Sequence, residues 1–138
     1  MIILDASFLV KLVLDEEGSD IAEKLLREWI ISGEDIVSID IALSESLNAL
    51  WKHYALIKDL DLVALNEALK DLLTIWNKLS IIPTAEIADK ALDLSVKYNI
   101  AIYDSLYLAI AQHYKAAIAT FDRRQREIAL ELGLKTHP

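Results

Sequence analysis

Apolar residues recur along this chain in two rhythms, and their alternation predicts the fold. Short apolar runs at Ile2-Ile3-Leu4, Asp35-Ile36-Val37-Ser38-Ile39, Leu79-Ser80-Ile81-Ile82, Ala116-Ala117-Ile118-Ala119-Thr120 and Leu134-Lys135-Thr136 read as strands. Pro83 stops the third run, since proline cannot donate to a central ladder. Between them, helical spacing takes over. Phe8, Leu9, Leu12 and Val13 form one stripe, broken at Asp15-Glu16-Glu17-Gly18; Ser19 then reads as an N-cap for a helix carrying Ala22, Leu25, Leu26, Trp29 and Ile30. A long helix starts near Ala42, with Leu43, Leu47, Leu50 and Tyr54 as its predicted buried face, and periodicity continues through Leu60, Val63, Leu69, Leu72, Leu73 and Trp76. Thr84 is a predicted cap for a helix bearing Ile87, Ala91 and Leu94 that stops at Tyr98-Asn99. Tyr103 to Tyr114, with Tyr103, Leu106, Tyr107, Ile110 and Tyr114 along one side, and Arg123 to Leu132, closed by Gly133, complete the set. Strands alternating with helices across short joints predict an α/β fold whose parallel sheet is covered on both faces.

Composition narrows this picture. At 138 residues, with 54% hydrophobic content and only 3 Gly and 2 Pro, the chain fits one compact domain, residues 1–138, with no linker or repeat. Charges interrupt every apolar run before the roughly 18 residues that a membrane span needs. There is no signal-peptide pattern, and the absence of cysteine excludes disulfides and thiolate metal sites. A cytoplasmic protein with no membrane partner is the expectation. The net charge of −8 is not that of a general nucleic-acid binder. Carboxylates gathered to hold a divalent cation would themselves contribute that sign, and the ion would reverse the local field.

Four acids occupy matching places. Asp5 ends the first strand, Glu45 lies in the predicted first turn of the helix after the second, Asp104 opens a helix, and Asp122 follows a later strand. Each alone also reads as a cap or first-turn acid. Together they stand where a parallel sheet gathers ligands, outside the carboxyl ends of its strands. Acids beside apolar neighbours such as Leu4, Phe8, Leu43, Leu47, Leu106 and Phe121 are costly unless paired, hydrogen-bonded or metal-bound. Hard oxygen donors without Cys or paired His suit Mg²⁺ or Mn²⁺, which can activate water against a phosphodiester.

Ile3-Leu4-Asp5-Ala6-Ser7 and Leu43-Ser44-Glu45-Ser46-Leu47 resemble the first two motifs of PIN-domain ribonucleases. Tyr103-Asp104-Ser105-Leu106-Tyr107-Leu108-Ala109-Ile110-Ala111 and Ala119-Thr120-Phe121-Asp122-Arg123 resemble the remaining two, in order. The chain is most similar to VapC toxins of toxin–antitoxin pairs, over essentially its whole length. The resemblance implies a three-layer α/β/α fold with a five-stranded parallel sheet, metal-binding carboxylates at Asp5, Glu45, Asp104 and Asp122, and orienting hydroxyls at Ser7 and Thr120. It also implies Mg²⁺- or Mn²⁺-dependent endoribonuclease activity on an RNA substrate, a homodimer, and a VapB-like antitoxin partner. Gln125 departs from the family pattern, which more often has an apolar residue there.

Arg123, Arg124 and Arg126 read either as contacts for RNA phosphates or an acidic antitoxin tail, or as a solvated helix face. Lys11 and Lys52 read as surface lysines, with the groove as the other reading. His53, His113 and His137 lack metal-ligand spacing, and Trp29, Trp51 and Trp76 fit a core or dimer interface. The Leu-rich segment from Ala55 to Trp76 suits a groove for an antitoxin helix. The rival readings are a catalytically inactive PIN-like interaction module and a phospho-acceptor or phosphatase α/β domain with the aspartate after the first strand as nucleophile. The second wants a further acid beside Asp5 and a positioned lysine; Ser7 follows instead.

Overall fold

The computed structural model describes residues 1–138. Its sheet has five parallel strands, β1 (Ile2–Leu4), β2 (Ile36–Ile39), β3 (Ser80–Ile82), β4 (Ala117–Ala119) and β5 (Thr136–His137), in the order β3-β2-β1-β4-β5. β1 and β4 are central and buried along their whole length, which is why both are unbroken small or branched apolar runs. Polar Ser80 and the stop at Pro83 fall on β3, where an edge strand tolerates them.

Seven α-helices cover the sheet: α1 (Ala6–Lys11), α2 (Ser19–Ser32), α3 (Ile41–Lys52), α4 (Leu62–Trp76), α5 (Ala88–Tyr98), α6 (Ile102–Tyr114) and α7 (Arg123–Glu131). α1 packs on α2 and α3, and α3 on α4; α5 and α7 both pack on α6. Right-handed crossovers place the two groups on opposite faces, giving three layers. β1 and β2 feed connections running one way across the sheet, while β4 feeds one running the other way. A crevice therefore opens beyond the carboxyl ends of β1 and β4.

Several local expectations are corrected. Ser19 is not a cap: its hydroxyl donates to the Leu14 carbonyl at 2.6 Å and accepts the Glu16 N–H at 3.1 Å, tying down the α1–α2 loop. The buried face of α3 is Ala42, Ser46 and Leu50, whereas Leu47 and Tyr54 are exposed. Small residues let α3 lie close to α1, so the larger apolar side chains turn outward. Glu45 is the fifth residue of α3 and lies beyond its first turn. α3 runs on into a π-helical turn, His53–Ile57, ended by Lys58 in a left-handed conformation. Ile30 on α2 and Val63 and Leu73 on α4 are exposed, as are Tyr103 and Tyr114 on α6. The stretch from Thr84 begins as a 3₁₀ turn, Thr84–Ile87, without a side-chain cap. β5 starts at Thr136, later than the predicted edge strand. α6 is buried on every side from Ser105 to Ala111, so it is a core helix and not an amphipathic one.

Gly18 precedes α2 with φ of +91°, and a Cβ there would stand 2.7 Å from Phe121 Cε1. Phe121 stacks in turn against Phe8, with ring centroids 5.8 Å apart. Gly18→Ala is expected to cost about 1–3 kcal/mol, from the left-handed backbone and the displaced ring. Urea unfolding measures it; an unchanged midpoint would show that this joint does not constrain the fold.

Candidate active site

Asp5 follows β1 directly and is 4% exposed. Its Oδ1 accepts the Phe8 N–H at 2.8 Å, capping α1, and the Ser7 hydroxyl at 2.7 Å. Its Oδ2 accepts the Thr120 hydroxyl at 2.6 Å from the end of β4. The capping reading of Asp5 therefore holds. Ser7 and Thr120 also reach onward. Ser7 Oγ accepts the Phe121 N–H at 2.8 Å, and Thr120 Oγ1 accepts the Asp122 N–H at 2.9 Å. Two hydroxyls thus fix the loop after β4 to the loop after β1.

The other three acids rise from this floor towards solvent. Glu45 is half-buried on α3, and its Oε2 accepts the Tyr107 hydroxyl at 2.6 Å. Asp104 sits in the first turn of α6 without a side-chain cap bond, since Ala101 is the residue at the N-cap. Asp122 is exposed and caps α7, accepting the Gln125 N–H at 2.7 Å. Each acid influences the next: Glu45 repels the charge on Asp5, Asp104 that on Glu45, and Asp122 that on Asp104. No salt bridge neutralises any of them.

The electrostatics follow from that enclosure. Burial pushes the Asp5 carboxyl up to about 6, against the opposing pull of its three hydrogen bonds. Burial first, then a neighbouring carboxylate, raises Glu45 and Asp104 above their ordinary values. Tyr107 is held far above the usual phenol range by burial and by Glu45, so it is a fixed donor. As placed, no three acids or histidines stand close enough together to hold a metal ion. The donor set nevertheless suits a hard divalent cation: four carboxylates, no thiols, and an excess of uncompensated negative charge.

Beside Glu45 a cleft of about 710 Å³ opens between α1, α3 and the start of α6, lined by Ser7, Lys11, Lys52 and Tyr103 among others. The arginines lie elsewhere. Arg123 Nε donates to Glu127 Oε1 at 2.9 Å, Arg124 stands 3.7 Å from the same carboxylate, and Arg126 donates to the Pro138 carbonyl. His53 pairs with Asp59 at 3.0 Å, and His137 packs edge-on against Trp29, so neither belongs to the acidic site.

Sequence reasoning assigned no role to two residues found here. Tyr107, read as part of an apolar stripe, holds Glu45; the clue was a phenol three residues after Asp104. Gln125 is 2% exposed, and its Nε2 donates to the Asp104 carbonyl at 3.3 Å while Oε1 has no partner. It links the first turns of α6 and α7.

The family model described as PIN domain matches residues 2–131. This chain belongs to the PIN-domain family. The chain is 27% identical to ribonuclease VapC3 of Pyrobaculum aerophilum over 128 residues, 91% of this chain and 92% of that relative. Its fold matches the crystal structure of VapC20 of Mycobacterium tuberculosis, described as a sarcin–ricin loop cleaving toxin. The TM-score is 0.70 at 12% identity, covering 93% of this chain and 95% of that one. It also matches VapBC2 of Rickettsia felis, bound to a DNA fragment from its promoter, with a TM-score of 0.67 at 16% identity, covering 99% and 98%. The five-stranded parallel sheet between helical layers is thus the PIN-like architecture.

The raised Asp5 value sets a pH dependence for this PIN domain. A carboxyl with a higher pKa folded than unfolded leaves the protein most stable below the unfolded value, near 4. Stability then falls as pH rises to about 6. The loss amounts to about 3 kcal/mol for Asp5 alone, with Glu45 and Asp104 acting in the same direction. In chelator, urea unfolding is expected to show stability decreasing between pH 4 and pH 7, with a visibly flatter profile for Asp5→Asn. Identical profiles for both proteins would rule out this origin.

Proposed function

We propose that this PIN domain is a Mg²⁺- or Mn²⁺-dependent endoribonuclease and the toxin of a toxin–antitoxin pair. The observation that carries the reading is the enclosed Asp5 carboxylate, joined by Glu45, Asp104 and Asp122 along one edge of the sheet with no cationic partner. The kinship with ribonuclease VapC3 supports the same activity. In this reading Asp5, Glu45 and Asp104 hold the metal, and Asp122 closes the quartet. A bound divalent cation would lower the pKa of an attacking water and stabilise charge developing on the phosphodiester. The chain's own residues supply placement. Ser7 and Thr120 occupy both Asp5 oxygens and fix its plane, and Tyr107 sets the rotamer of Glu45.

Asp5→Asn and Asp104→Asn are each expected to lower RNA cleavage by more than the 10–100-fold typical of supporting residues. Both variants should keep a native circular dichroism spectrum. Mn²⁺ is expected to give a calorimetric binding signal and to raise the melting temperature of the wild type, but not of Asp5→Asn. Full cleavage by either variant sinks the assignment. A folded wild type that neither binds Mn²⁺ nor cuts RNA leaves the interaction-module reading.

The antitoxin is the partner in this proposal. A groove of about 380 Å³ between α1, α2 and α4, lined by Leu12, Leu26, Ile30, Ile31 and Ile75, offers an apolar seat for an amphipathic helix. Ile30 and Ile31 are 63% and 80% exposed, so the groove draws more on α2 than the Ala55–Trp76 segment alone predicted. Ile30→Glu with Ile31→Glu is expected to abolish co-purification with the antitoxin while leaving melting and cleavage near wild type. Retention of the complex would remove the groove from the proposal.

A further inference from the structure

The acidic chain needs some surface that attracts a polyanion, and the arginines beside Asp122 do not line the cleft next to the acids. Two lysines do. Ser44, Glu45, Asn48 and Lys52 from α3, with Lys11 from α1 and Tyr103 from α6, form its walls. Glu45, Asn48 and Lys52 follow one another at i, i+3 and i+7, one stripe along α3 leading outward from the acids. Lys52 lies about 10 Å along the helix from Glu45, far enough to address a phosphate other than the one at the acids. It makes no ion pair.

Lys11 is held more tightly. Its side chain is only 18% exposed and lies over the Phe121 ring, with Nζ 5.5 Å from the centroid. Its one acidic partner is Glu16, at 3.0 Å, which also lines the cleft and stands 3.9 Å from His53 Nε2. Glu16 keeps a second neighbour, the His53 ring, when Lys11 turns to another anion. Tyr103 is 56% exposed at the cleft wall next to Asp104, and it offers an aromatic face on which an unpaired base can stack.

We propose that the substrate is a single RNA strand entering along α1 and α3, with Lys11 and Lys52 contacting phosphates on one side of the scissile bond. Tyr103 stacks a base, and Glu16 competes with phosphate for Lys11. This rests on the endoribonuclease reading and adds the direction of approach. Stacking on Tyr103 needs an unstacked base, which selects single-stranded regions over paired ones. Until phosphate displaces it, Glu16 keeps Lys11 neutralised in the free protein and so reduces the pull on unrelated polyanions.

The test measures anisotropy of a short fluorescein-labelled single-stranded RNA of mixed sequence across a series of NaCl concentrations. Full-length wild type is compared with Lys11→Gln, Lys52→Gln, Glu16→Gln, Tyr103→Ala and the Arg123→Gln/Arg124→Gln pair. Each lysine change is expected to weaken binding by about fivefold at low salt and to reduce the slope of log K against log salt by about 0.7. In cleavage assays KM should rise with kcat nearly unchanged. Glu16→Gln should tighten binding, Tyr103→Ala should weaken it without changing the salt slope, and the arginine pair should behave as wild type. Wild-type affinity and slope in both lysine variants overturn the proposal. So does a slope loss that appears only in the arginine pair, since that puts the strand on α7. Should cleavage survive Asp5→Asn, the nuclease reading itself falls. Should cleavage need Asp5 but ignore both lysines, only the path along α1 and α3 falls.

Discussion

A carboxylate shut inside the end of a parallel sheet is the constraint on which this structure turns. Asp5 cannot move away, because its backbone N–H donates to the Ala119 carbonyl at 3.1 Å and Leu4 before it is buried between two strands. An unpaired charge in such a place would cost several kcal/mol. Three donors offset part of that: a helix N-terminal N–H and two hydroxyls. They arrive from different parts of the chain, so the β1–β4 register, the start of α1 and the loop after β4 must all be correct before the charge is tolerated. The compensation remains incomplete, since burial still outweighs the hydrogen bonds and holds Asp5 near 6. The molecule therefore carries electrostatic free energy concentrated at one point.

Around this fixed floor the other acids form a gradient of freedom. Glu45 and Asp104 are half-buried and Asp122 is exposed. Glu45 is held by one phenol, Asp122 by one helix N-terminus, and Asp104 by no side-chain bond of its own. The acids thus form a rigid base, Asp5, with a more loosely held rim. Gln125 fits this division. Its side-chain Nε2 donates to the Asp104 backbone carbonyl and its backbone N–H donates to Asp122 Oδ1, so it ties the stem of Asp104 to the Asp122 carboxylate and leaves the Asp104 carboxylate unengaged. One buried carbonyl oxygen is left without a partner, which costs about 1–3 kcal/mol.

The sheet was legible because its central strands are solid apolar runs, and the acids because each interrupts or follows one. Ile2-Ile3-Leu4-Asp5 and Ala117-Ile118-Ala119 could hardly be anything but buried strands. The buried face of α3 was read only in part, since Leu50 is buried and Leu43 packs on the core but Leu47 and Tyr54 are exposed, and the reason is physical. Close helix packing rewards small side chains, so Ala42 and Ser46 go inside while bulkier Leu47 and Tyr54 go out. Hydrophobicity alone points the other way. The Tyr107–Glu45 bond joins residues 62 apart, and no local pattern encodes it or the strand order, while the hydroxyls of Ser7 and Thr120 were legible only through the family motifs. Ser19 illustrates the same limit at short range. A serine before a helix suggests a cap, but Gly18 takes that position and frees the hydroxyl to brace the loop.

Net charge and local charge tell different stories in this molecule, and the difference is informative. A chain at −8 should repel nucleic acid at long range. At short range the sign varies from wall to wall. The arginines that look suited to phosphate are engaged by Glu127 or the terminal carbonyl on an outer helix. The lysines that look incidental stand beside the acids. Glu16 and Glu45 line the same cleft, so its two lysines balance the acids there, and Lys52, which makes no ion pair, is the cation left free for a ligand already inside. On the proposed path, one unpaired lysine within an acidic whole favours a strand that reaches the cleft over a polyanion held at a distance.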